Sequence, residues 1–172
     1  MKRHRDELFN GIGPVVPDEP AALLAALCTY LTQSSGREVR LMLEEFPPDT
    51  VSGLWIDMGD FDVVAVEAQT SPLHQIVILG HELWHRKEGG CGGHHGSAAG
   101  VVAAARMLGE RWDLSDVVAR VAARTDGGIE EERRAERFGR MLATKFRPYL
   151  NGAPGRIASD GVTGRIWASL EG

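Results

Sequence analysis

Cysteine is scarce. Cys28 and Cys91 are the only two in 172 residues, too few for a disulfide framework, so nothing in the composition requires an oxidising compartment. Aromatic residues are few, at 6%, and the formal net charge is −5. Together these argue against a dedicated nucleic-acid-binding surface. No apolar run reaches the roughly 18 residues that a membrane helix needs. No apolar segment follows the basic start Lys2 to Arg5, so no secretory leader is expected either. These absences predict a cytoplasmic protein. Cys28 lies in an apolar helical run and reads as a small core residue.

The length suits a single domain over 1–172. Glycines and prolines at 11–17 predict a loosely ordered start, with the basic residues as a solvated tail, and the glycine-rich stretch from Asn151 predicts a mobile end. The core is expected over about 18–148. Asp18 can cap a helix that carries Pro20 in its first turn and runs to about Gln33, with Leu23, Leu24, Leu27, Cys28 and Leu31 on one face. Val39, Leu41 and Leu43 then alternate with Arg40, Met42 and Glu44, as a strand does. Two more strands follow, 52–57 and 61–67, joined by a hairpin loop at Met58-Gly59-Asp60. The sheet is expected to be small and antiparallel, and the 61–67 strand can offer an exposed edge to an extended peptide. Further helices are expected at 97–108, from Asp113 or Ser115 to Ala123, and from Ile129 to about Phe146, where Pro148 stops the last one.

Between the sheet and the glycine-rich stretch EGGCGGHHGS lies an apolar helix from about Ser71 to Arg86, capped by Ser71 and started by Pro72. It ends in His81-Glu82-Leu83-Trp84-His85. Two histidines four residues apart share a helix face one turn apart, so both imidazoles can grip one small tetrahedral cation, usually zinc. Glu82 stands beside them as a general base for a water that the metal activates. Two histidines and a glutamate on a core helix are costly unless something satisfies them.

A catalytic zinc needs a third protein ligand, and three sources are open. On the 129–146 helix, Glu132 shares a face with Ala135 and Gly139, whose small side chains would let that helix lie close to the histidine helix. Against this, Glu130, Glu131, Glu132 and Glu136 can simply decorate an exposed first turn. In the glycine-rich loop, Cys91 falls ten residues past His81, where a longer zinc-peptidase pattern has a third histidine, but Glu88 stands where that pattern wants glycine. His94 and His95 in the same loop can be ligands or transition-state contacts. His74, two turns before His81, can brace the site through a hydrogen bond. Tyr149 joins His94 and His95 as a possible donor to an oxyanion. Arg133, Arg134, Arg137 and Arg140 interleave with glutamates, as on a solvated, salt-bridged helix face.

HELWH at 81–85 after a short sheet, followed by E-x-x-A-x-x-F-G-x-x-L at 132–142, resembles the ImmA/IrrE-type zinc metallopeptidases. The resemblance covers about 37–148. It implies an α+β zincin-like core, zinc held by His81, His85 and Glu132, and Glu82 as the catalytic base. Gly139 stands where the family usually has alanine, the segment between the motifs is longer, and the paired histidines are outside the pattern. Members of the family cleave helix-turn-helix repressors or are encoded beside such regulators as toxin-like components. The implied function is thus a regulatory endopeptidase acting on a protein such as a helix-turn-helix transcriptional regulator or a toxin–antitoxin partner, supplied by a separate chain. The alternative is a metal-containing interaction protein that binds a regulator without cleaving it.

Overall fold

The computed structural model describes residues 1–13, 16–88 and 129–150. Their elements run α1 (Lys2–Gly11), α2 (Pro20–Ser35), β1 (Glu38–Glu44), β2 (Gly53–Asp57), β3 (Phe61–Glu67), α3 (Pro72–Lys87) and α4 (Ile129–Leu150). This is a mixed α+β arrangement of four described helices and a three-stranded sheet. The helices expected at 97–108 and 113–123, the glycine-rich loop and the tail from Asn151 lie outside the described residues. No described helix is long and apolar enough to cross a membrane.

The helix signals act much as expected in α2 and α3. Pro20 occupies the first turn of α2, and Gly36 closes that helix at φ 69°, a left-handed conformation suited to glycine. The cap residue is Glu19 rather than Asp18, and it makes no side-chain capping bond. Ser71 caps α3 by accepting a hydrogen bond from the His74 N–H at 3.4 Å, with Pro72 following.

The sheet corrects an expectation. Its order is β1-β3-β2, with β1 parallel and β2 antiparallel to β3, so it is mixed rather than antiparallel. The hairpin β2–β3 forms as read, and Gly59 takes φ 90° in its turn. That local signal says nothing about where β1 pairs. The run Val63-Val64-Ala65-Val66 is buried on both faces, and an uninterrupted apolar strand belongs in the middle of a sheet. β3 is therefore central and offers no free edge, contrary to the edge role expected for 61–67. β2 is an outer strand of the described sheet instead.

Alternate residues feed two apolar clusters. Val39, Trp55, Val64 and Val66 join the main core with the helices. Met42, Leu54, Ile56, Val63 and Ala65 form a second cluster with Phe46 on the other face. Met42 is thus buried on the face where the strand pattern placed it with Arg40 and Glu44.

The N-terminal segment also departs from expectation, because residues 2–11 are helical. A helix this short is marginal alone, but α1 buries Leu8 and lays Phe9 against Phe146 and Tyr149 of α4. Its His4 ring stacks on Phe138 of α4, with centroids 5.2 Å apart. At the other end of the chain, Pro148 lies inside α4 and the helix continues to Leu150. Tyr149 and Leu150 pack on the main core, and this packing carries the helix past a residue that lacks an N–H.

α3 and α4 make the most extensive contact between described helices. They meet where glycine faces glycine. A methyl group on Gly80 would come within 2.8 Å of the Gly139 Cα, and one on Gly139 would run into the Val77 carbonyl oxygen and come within 3.2 Å of the His81 nitrogen. Ala135, Phe138 and Leu142 fill the rest of the contact face, all fully buried. The C-terminal half of α3 is also tied to the sheet. Asp62 of β3, 4% exposed, binds Arg37 at 2.9 Å and Arg86 at 3.1 Å, and Arg37 also pairs with Asp57.

Two predictions follow from this packing. Gly139→Ala should gain about 1 kcal/mol in helix propensity and lose about 1–3 kcal/mol to overpacking. Because the obstruction is backbone, the loss should win, and urea unfolding should show a lowered midpoint. For His4, burial pushes the pKa below its usual 6.5, assisted by the charge of Lys87 and opposed by Glu7. The folded state therefore favours neutral imidazole. Its contribution is intact above the unfolded value of about 6.5 and is lost as pH falls through the lower folded value. With a chelator present, thermal melts of the wild type should fall more steeply below pH 6.5 than those of His4→Phe, which keeps the stacked ring. Parallel curves would refute the assignment.

Candidate metal centre

α3 sets His81 and His85 one turn apart, with ring centroids 4.7 Å from each other. The first turn of α4 brings Glu132 over both. The His81 and His85 Nε2 atoms are 3.0 Å apart. Glu132 Oε2 lies 3.5 Å from His81 Nε2, and Oε1 lies 3.4 Å from His85 Nε2. Four ligands held about 2.0–2.1 Å from one small ion at tetrahedral angles are separated by about 3.3–3.4 Å. The two imidazole nitrogens stand near that spacing from each other, and each has a different Glu132 oxygen at a similar distance; together the three residues form a group that can hold a metal ion, with one ligand atom from each within 4.8 Å of the others.

His85 is further oriented from behind. Its Nδ1 lies 3.1 Å from Glu131 Oε1, and its side chain is 1% exposed. With Nδ1–H donating to the carboxylate, the Nε2 lone pair is left facing His81 and Glu132, which is the tautomer a metal ligand needs. Sequence reasoning missed this residue. The sequence singles out only Glu132 from the run Glu130-Glu131-Glu132 and leaves Glu131 as part of a dipole-favoured first turn. In the structure its members divide: Glu130 pairs with Arg133 at 2.8 Å, while Glu131 and Glu132 reach the two nitrogens of one imidazole. The 100° step between neighbouring helix positions, placed beside His85, makes that division.

Glu82 is 5% exposed. It lines a cleft of ≈ 290 Å³ with His81, His74, Glu136 and the start of β2. Gly53, the first residue of β2, lies so near that a methyl group there would sit 2.9 Å from Glu82 Oε1 and against Ile78. The absent side chain lets the strand run directly beside the carboxylate.

His81, Glu82, His85 and Glu132 are thus gathered at one place, as the sequence suggested. His74 is exposed on the wall of the cleft, and among the described residues its side chain makes no hydrogen bond, so it braces no ligand there. Tyr149 is excluded from the site. It stacks near Phe9 at 5.8 Å, and the 17 residues separating it from Glu132 span about 25 Å of helix. Cys91, His94 and His95 lie outside the described residues.

No protein-family model, no curated protein and no solved structure matches this chain. The case for the site therefore stands on its geometry.

Metal content should follow that geometry. The wild type, supplied with a divalent first-row metal, should bind about one ion per chain by elemental analysis. Glu132→Ala should abolish stable binding, and Glu131→Gln should weaken it by about 10–100-fold. Full retention in Glu132→Ala would remove that residue from the ligand set.

Proposed function

We propose that this chain is a zinc-dependent endopeptidase with a zincin-like core of the ImmA/IrrE type. The observation that carries the reading is a three-ligand set placed beside a buried glutamate, at the wall of a cleft bounded by an outer strand. Two imidazole nitrogens and a carboxylate oxygen are a donor set suited to zinc, and three ligands among the described residues match a catalytic site, which keeps a position open, whereas a structural site is closed by four. Bound there, zinc would supply Lewis acidity and a water nucleophilic near neutral pH.

The remaining chemistry belongs to the chain. His81, His85 and Glu132 hold the reacting centre, and Glu131 keeps His85 in its binding tautomer. Glu82 takes the proton of the attacking water as oxygen bonds to the scissile carbonyl carbon. It then returns that proton to the leaving nitrogen as the C–N bond breaks, giving a carboxylic acid and an amine, which at neutral pH are carboxylate and ammonium. The outer strand β2 can pair through its backbone with an extended substrate, the role earlier expected of 61–67, and Gly53 keeps that substrate close to Glu82. The substrate is a protein segment, with a helix-turn-helix transcriptional regulator encoded as a separate chain the favoured class. The protein would act in the cytoplasm, with no direct contact to nucleic acid.

Glu82→Gln separates chemistry from structure. The variant should keep one zinc per chain and a wild-type melting temperature while losing at least about a hundredfold in peptide hydrolysis. Hydrolysis at the wild-type rate would end the general-base role. Failure of the zinc-loaded wild type to cleave any peptide or regulator would return the chain to the non-catalytic interaction reading.

A further inference from the structure

The two sides of His81 differ in charge. Towards β2, the cleft described above carries the carboxylates Glu82 and Glu136 and no lysine or arginine. A second groove of ≈ 520 Å³ runs along α4, lined by His81, Ile129, Glu132 and Glu136 and by Arg133, Arg137 and Arg140. The arginines recur at i, i+4 and i+7, which stacks them along one helix face. His81 and Glu136 border both spaces, so a chain lying across the metal centre would pass from an acidic wall to a basic one.

Two of these arginines are engaged. Arg133 binds Glu130 at 2.8 Å, and Arg140 pairs with Glu136. Arg137 has no ion-pair partner among the described residues. No described residue takes up its guanidinium, whose donors form a fork that matches a carboxylate. It would also stand near a bound cation that repels basic side chains. We propose that Arg137 is a specificity residue that selects a peptide with an acidic side chain on the α4 side of the scissile bond. The choice of a peptide as occupant rests on the endopeptidase reading above.

Spacing indicates where the acid belongs. Arg137 lies five positions beyond Glu132, about 7.5 Å along the helix axis. An extended peptide advances about 3.3 Å per residue. The acidic side chain should therefore sit about two residues from the bond to be cut. A basic residue there would meet the Arg137 guanidinium.

The test uses the full-length, zinc-loaded Glu82→Gln protein, so that binding is read without turnover. Fluorescently labelled ten-residue peptides that differ only in Glu, Gln or Lys at one scanned position would be titrated by anisotropy. At one position the Glu peptide should bind about fivefold tighter than the Gln peptide, a modest factor because the exposed guanidinium is screened, and the preference should shrink in high salt. Arg137→Gln should erase the preference, and Arg137→Glu should reverse it in favour of Lys. Equal affinity for Glu and Gln peptides at every position, no binding by any peptide, or a preference unchanged in both Arg137 variants would overturn the assignment. Wild-type cleavage of the same peptides is read separately. Cleavage without acidic preference leaves the endopeptidase and removes this specificity, whereas Arg137-dependent preference without cleavage leaves the recognition site and removes the endopeptidase.

Discussion

The candidate metal centre depends on how closely two helices can lie. His81 and His85 come from α3 and Glu132 from α4, and the donor atoms must converge to within 3.0–3.5 Å. Such convergence requires backbones nearly in contact, and Gly80, immediately before His81, and Gly139, two turns beyond Glu132, provide that contact. Gly139 also explains why alanine, common at this place in the family that the motif resembles, would not fit unchanged in this chain. Its missing methyl group is the space that the Val77 carbonyl and the His81 nitrogen use.

Close packing alone would not hold two histidines and three glutamates at a core boundary. Buried polar groups are costly unless satisfied. The structure meets that cost with paired groups at each end of the motif. Glu131 and Glu132 take the two sides of the His85 ring, and the next residue, Arg86, turns the other way to Asp62 of β3. Asp62 in turn holds Arg37 at the start of β1. The helix that carries the ligands is thereby fixed to α4 on one side and to the sheet on the other. Behind it, Trp84 packs on Phe138, and Phe138 on His4 of α1, so the N-terminal helix also rests against this unit.

Elements with a strong local signature were legible in the residues. The spacing of Leu23, Leu27 and Leu31 showed α2, the Ser71-Pro72 start and apolar run showed α3, and Gly59 marked the β2–β3 turn. What escaped were features set by partners far along the chain. α1 has little helical signal of its own and forms against α4. The pairing of β1 with β3 skips the neighbouring strand and follows from the double-sided burial of Val63 to Val66. Tyr149 seemed available for the site only while its distance from Glu132 along α4 was disregarded.

The sequence by itself determined that His81 and His85 can share one ion, because a four-residue spacing on a helix places them on one face whatever surrounds them, and it set Glu82 between them. It also named Glu132 as one of several possible third ligands. Only the tertiary structure decided among the described candidates, since a choice between equally acidic neighbours depends on which carboxylate the α3–α4 crossing points inward. That same crossing separated Glu130, left in solvent, from Glu131 and Glu132 against His85. It also set Arg137 beside the groove that leads from His81.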